Sequence, residues 1–161
     1  MEMIIKAILI GVGATIIMDL WAIFLKTFFS IPSLNYAFVG RWIGHMTKGK
    51  YMHQSIATAA PIPGETAIGW MAHYMIGITF SILLVLIWGE QWTASPTIGP
   101  ALIIGIGTTV APFFLMQPGM GLGIAASRTP KPDVARMRSL MAHTVYGIGL
   151  YLAALLLTRI Y

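Results

Sequence analysis

Three ionisable side chains interrupt otherwise apolar stretches of this sequence: Asp19, His73 and His143. An acid and two imidazoles can pass protons or hold a polar solute, and the imidazoles can also ligate a metal. Each stands at four-residue intervals from small residues. Gly11, Thr15 and Asp19 form one series, and Gly69, His73, Gly77 and Ser81 a second. Ala101, Gly105 and Thr109 form a third, and Ser139, His143 and Gly147 a fourth. Four-residue spacing puts a series on one helix face. In lipid such faces let helix backbones approach closely. Gly11, Gly69, Gly77, Gly105 and Gly147 are therefore read as packing positions, and the ionisable residues beside them are expected to face a bundle interior.

The elements that must carry these faces follow from composition. Of 161 residues, 57% are hydrophobic and 9% charged, against about a quarter charged in soluble domains. The mean hydropathy is +0.79. So few charges cannot cover a water-facing surface, and lipid is the expected solvent for most of the chain. Apolar runs long enough to span a bilayer cover about 3–29, 66–88, 96–117 and 133–159. A signal peptide is disfavoured for the first run by Glu2 and Asp19 and by the lack of a clean cleavage site. Ile31-Pro32-Ser33 ends the first helix. Leu34, Phe38, Trp42 and Met46 then recur every four residues and predict a short amphipathic helix at the membrane interface. Pro61-Ile62-Pro63-Gly64-Glu65 forms a stiff entry to the second span, with the acid near the helix's positive end. The Gly- and Pro-rich segment 118–132 reads as an ordered loop or broken helix. Trp88, Trp92, Tyr151 and Tyr161 suit an aromatic belt. The expected fold is all-α: one transmembrane domain over 1–161, a four-helix bundle with cytoplasmic loops at 30–65 and 118–132.

The net charge of +5 comes from loop residues and points to anionic lipid at the cytoplasmic loops rather than to nucleic acid. Eight Lys and Arg (Lys26, Arg41, Lys48, Lys50, Arg128, Lys131, Arg136, Arg138) fall on one side, and Lys6 and Arg159 on the other. The positive-inside rule then places both termini outside.

A weak internal repeat runs through the chain. Trp70-Met71-Ala72-His73 with Gly77-Ile78 matches Leu140-Met141-Ala142-His143 with Gly147-Ile148. Gly11-Val12-Gly13-Ala14-Thr15 matches Gly105-Ile106-Gly107-Thr108-Thr109. Two helical hairpins in parallel orientation imply a pseudo-two-fold axis along the membrane normal. The position matching Asp19 is Phe113, so the acid breaks the symmetry.

At about 1.5 Å per residue, Asp19 and His73 lie about 6 Å, and His143 about 5 Å, to the cytoplasmic side of the span midpoints. An Asp at such a depth costs about 2.5–3.5 kcal/mol, which a partner or a function must offset. The three residues are expected to form a polar relay, with Thr15 beside Asp19 and Gln117 at the cytoplasmic end of the third span. A hydrogen bond that merely ties helices together is the alternative. There are no cysteines, and no nucleophile–base–orienter triad is visible, so an enzyme is not expected. Gly119-x-Gly121-x-Gly123 follows no strand and precedes no Lys-Ser or Lys-Thr, and reads as loop flexibility rather than a phosphate loop. His45 and His53 are expected at the interface, not on a metal.

Several stretches carry a resemblance. They are Ile31-Pro32-Ser33-Leu34-Asn35, Val39-Gly40-Arg41-Trp42-Ile43-Gly44-His45-Met46, Ala60-Pro61-Ile62-Pro63-Gly64-Glu65, Met116-Gln117-Pro118-Gly119-Met120-Gly121-Leu122-Gly123 and Ala125-Ala126-Ser127-Arg128-Thr129-Pro130. Together they resemble an uncharacterised bacterial inner-membrane family known as a domain of unknown function. The resemblance covers nearly the whole chain. It implies a bacterial cytoplasmic-membrane location and supplies no activity or site residue.

Three functions fit the sequence. The first is a small proton-linked permease or channel component, expected to homodimerise through the glycine stripes because four spans are few for a pathway. The second is an electron carrier holding haem between His73 and His143; otherwise no cofactor or metal is expected. The third is a scaffold or accessory subunit without a site.

Overall fold

The computed structural model describes residues 2–160; Tyr161, assigned above to the aromatic belt, lies outside them. All regular structure among the described residues is helical. The long helices are α1 (Glu2–Phe29), α3 (Glu65–Ala94) and α5 (Pro132–Ile160), joined by the shorter α2 (Tyr36–Met46) and α4 (Ile98–Gly107). Four segments are long and apolar enough to cross a membrane: Glu2–Phe29, Glu65–Ala94, Ile98–Gly119 and Pro132–Ile160.

Two boundaries differ from the sequence reading. The expected link at 89–95 is mostly helical and α3 runs on to Ala94, but at Gly89 (φ 75°, ψ 179°) the backbone leaves helical geometry, so two helical segments meet there at a kink. The third span, by contrast, is not one regular helix. After Gly107 comes a two-residue turn at Thr108 and Thr109, then a π-helical stretch Pro112–Met116 and a short helical turn Gln117–Gly119. Pro112 explains the break, since a proline has no N–H to give the carbonyl four residues earlier. Phe113 N–H still reaches Thr109 O at 3.1 Å, but the bond from Gln117 N–H to Pro112 O spans five residues.

The chain divides into two compact units. The first comprises Met1–Ser33, Tyr74–Thr108 and Leu140–Tyr161; the second comprises Leu34–His73 and Thr109–Ser139. The division runs through α3 after His73 and through α5 after Ser139.

The first unit is a bundle of four helical segments, from α1, α3, α4 and α5. Its core holds Ile10, Ala14, Leu84, Trp92, Ala101, Ile104, Tyr146, Leu150 and Ala154. Trp92 is thus a core residue rather than a belt residue, and its indole N–H donates to Thr97 O at 3.1 Å. Two glycine crossings set the helix spacing. A Cβ on Gly11 would lie 2.7 Å from Ile78 Cα, and one on Gly77 would collide with the Thr15 hydroxyl. A Cβ on Gly105 would lie 2.6 Å from Gly147 Cα, and one on Gly147 would lie 2.8 Å from Ala101 O. The outward residues are apolar: Leu20, Leu86, Ile103 and Leu156 are all at least 60% exposed. An apolar surface of that kind suits lipid, not water.

The second unit packs α2, the first turns of α3 and the two long connections around Val39, Ile56 and Met120. α2 starts at Asn35, whose side chain accepts from Ala37 N–H at 3.0 Å. It crosses α3 closely, because Gly40 faces the Glu65 carbonyl and Gly69 faces the Tyr36 carbonyl with no side chain between.

Two substitutions on α4 separate crossing from propensity. Gly105→Ala drives a methyl into the α5 backbone and is expected to lower stability by about 1–3 kcal/mol. Gly107→Ala points into open space and is expected to leave stability unchanged or raise it by up to about 1 kcal/mol. Unfolding of the detergent-solubilised protein measures both, and equal effects would contradict the crossing.

Candidate functional site

In the first unit, Asp19 and His143 are both held by hydroxyl groups of a neighbouring segment. Asp19 is partly buried on α1, and Tyr74 Oη on α3 donates to its Oδ2 at 3.0 Å. One turn earlier, Thr15 is buried and its hydroxyl donates to Gly11 O at 2.8 Å. That bond satisfies the hydroxyl inside its own helix and lets α3 approach at Gly77.

His143 sits where the third span breaks. Its Nδ1 lies 3.1 Å from Thr108 Oγ1 and 3.3 Å from Gly105 O. The Thr108 hydroxyl gives its own proton to Gly105 O at 2.8 Å. With that proton spent, the bond between Thr108 and His143 needs the imidazole as donor. The ring is therefore set as the Nδ1–H form, by inference from its partners. The glycine crossing makes this possible: with no side chain at Gly105 or Gly147, the α5 backbone lies close enough for His143 to reach the Gly105 carbonyl. An imidazole held at a helix break midway along an apolar span is a group that can accept and release a proton.

His73 belongs to the second unit. Its Nε2 is hydrogen-bonded to Tyr36 Oη at 3.0 Å, and the two rings lie 4.5 Å apart. Trp70 packs against both rings, its centroid 4.2 Å from Tyr36 in a tilted arrangement and 5.8 Å from His73 edge-on. Iron could reach Nε2 only if Tyr36 left it, so the local geometry gives no support to haem ligation there. Among the described residues there is no group of three or more His, Asp or Glu placed to hold a metal ion.

Gln117, expected at the cytoplasmic end of the third span, is buried at 6% exposure. Its Nε2 donates to Ser139 Oγ at 3.3 Å, and its Oε1 has no partner among the described residues. The following glycines are packed rather than flexible. Gly121, at φ 89°, lies against the Gln54 carbonyl where a Cβ would collide. The two connections pair through His53 N–H to Gly119 O at 2.9 Å and Ile56 N–H to Met120 O at 3.0 Å.

A pairing that the sequence reading did not make, between Arg41 and Glu65, ties this second unit together. Arg41 is buried, and its guanidinium meets Glu65 through two bonds, Nε to Oε2 at 2.8 Å and Nη2 to Oε1 at 2.7 Å. Its Nη1 donates to the carbonyls of Ile56, Ala57 and Ala59 at 3.2, 3.3 and 3.1 Å. Glu65 Oε2 also accepts from Ile62 N–H at 3.0 Å. The Glu65 partnership holds the Arg41 pKa above the ordinary guanidinium value. A signal was present in the sequence: the segment 30–64 holds Arg41 and no acid, and Glu65 is the first carboxylate after it.

A family model described as Protein of unknown function (DUF2938) matches residues 8–157. No curated protein and no solved structure matches the chain.

Arg41→Lys keeps the charge but loses the two-pronged geometry and two of the donors. It is expected to lower the melting temperature and to speed tryptic cleavage at Lys48 and Lys50, since loop 50–60 loses its anchor. Arg128→Lys, on an exposed residue, serves as the control. Equal melting and cleavage of the two variants would show that the pair does not hold the loop.

Proposed function

The chain belongs to the DUF2938 family, and from that premise we propose that it is a small proton-linked permease or channel component of a bacterial cytoplasmic membrane. The observation that carries this reading is the placement of His143 against Thr108 and Gly105, where the third span loses its regular helix. Broken helices near mid-span are a recurrent way to build a solute or ion site in transporters, and π-helical stretches often accompany function. Asp19 with Tyr74 supplies a second exchangeable group in the same unit. Intramembrane carboxylates and imidazoles so paired are the usual components of proton pathways.

Two further parts of the sequence reading support the proposal. The crossings Gly11/Gly77 and Gly105/Gly147 fall at matching positions of the two hairpins, as a parallel repeat requires. The bias of basic residues toward the two long loops fits cytoplasmic loops with both termini outside. A second copy of the chain completes the pathway. The glycine faces at 11, 77, 105 and 147 are occupied within the protomer, so that copy meets another surface.

Purified protein in vesicles loaded with a pH-sensitive dye, under a potassium diffusion potential, tests the reading. The wild type is expected to admit protons faster than protein-free vesicles. His143→Gln and Asp19→Asn are expected to cut that excess by about tenfold or more. Folded variants that conduct like the wild type, or a wild type no leakier than empty vesicles, would remove the proposal.

A further inference from the structure

Hydroxyls on the helices of the first unit share a habit. Thr15, Thr79 and Thr144 each donate to the carbonyl four residues earlier, at 2.8 Å. Ser81 on α3 departs from it. It is at 0% exposure, and its Oγ has no hydrogen-bond partner among the described residues. The carbonyl it would use is Gly77 O, and that oxygen is already taken. Tyr146 Oη, from α5, donates to it at 2.5 Å.

The lone pairs of that oxygen account for the unpaired serine. A carbonyl oxygen has two. In the regular helix one of them serves Ser81 N–H. The Tyr146 hydroxyl takes the other, and the Ser81 hydroxyl is left over. We propose that Gly77 O is a two-position latch between α3 and α5, held by Tyr146 in this structure and by Ser81 when α5 draws away.

The exchange is close to balance. A buried hydroxyl without a partner is destabilising, and Ser81 is that group while Tyr146 is in place. Once Tyr146 leaves, a turn about χ1 brings Ser81 onto Gly77 O, and Tyr146 becomes the unpaired hydroxyl. One such group exists in either position, so hydrogen bonding favours neither state strongly. Two near-equal arrangements of one contact are what a bistable element requires.

Tyr146 stands three residues after His143 on the same helix. A shift of α5 at Tyr146 therefore moves His143 against Thr108 and Gly105, its partners at 3.1 and 3.3 Å. The latch would then regulate the proton site. That consequence rests on the function proposed above, whereas the latch itself does not depend on what the protein carries.

Thermal unfolding of the whole chain in detergent tests the latch through a cycle of Ser81→Ala and Tyr146→Phe. In the wild type, Ser81→Ala removes an unpaired hydroxyl and is expected to raise the melting temperature. In Tyr146→Phe, Ser81 holds Gly77 O, so the same change removes a hydrogen bond and is expected to lower it. The better helix propensity of alanine acts in both backgrounds and cancels. The two shifts are expected to differ by about 4 °C or more. Equal shifts would overturn the proposal; they would also result if Ser81 settled on Ile78 O, three residues back, whatever Tyr146 does. A fall in the wild type would overturn it too, because the Ser81 hydroxyl would then already be bonded. That arm needs no change at Tyr146 and decides the matter if Tyr146→Phe does not fold. No flux enters the measurement, so failure of the latch and failure of the permease reading are separate results.

Discussion

The close approach of α4 to α5 at Gly105 and Gly147 is the constraint on which the polar chemistry of the first unit rests. Side chains at those positions would force the helices apart, since the nearest atoms are backbone. With the helices in contact, the imidazole of His143 meets the Gly105 carbonyl and the Thr108 hydroxyl together. Dispersion between backbones and a few hydrogen bonds replace the hydrophobic effect where lipid is the solvent. Gly11 and Gly77 play the same part between α1 and α3, and Tyr146 adds a hydrogen bond from α5 to Gly77 O at 2.5 Å.

The second unit solves a different problem. Its connections carry many backbone polar groups outside regular helix. Arg41 answers this with five hydrogen bonds, two to Glu65 and three that the two Nη1 hydrogens share among loop carbonyls. Burying the guanidinium is tolerable because every prong has a partner. The glycines at 119 and 121 then let the second connection lie against the first, Gly119 against the Trp42 indole and Gly121 against Gln54 O.

The four apolar helices were legible in the sequence because hydropathy and length report directly on helical span candidates. So was α2, whose four-residue apolar rhythm ends at the predicted Met46. The break in the third span was not read, although Pro112 stood in plain view. A proline inside an apolar run is often tolerated by kinking, and sequence alone does not say whether the helix bends or changes its hydrogen-bonding step. Asp19 and His143 were recognised by residue type, but their partners Tyr74 and Thr108 were not, because Tyr and Thr are common packing residues in such helices. His53 was expected at the interface and is buried, because its place is decided by pairing with Gly119, 66 residues away. Arg41 likewise looked like one more interfacial cation until the fold brought Glu65 to it.

The central claim is that His143 is an exchanging proton site and not a fixed strut between helices. Nitrogen-15 NMR of the imidazole in lipid bilayers tests it most directly. The account predicts an Nδ1–H ring whose proton exchanges with bulk water. A ring whose proton stays shielded from exchange would contradict it.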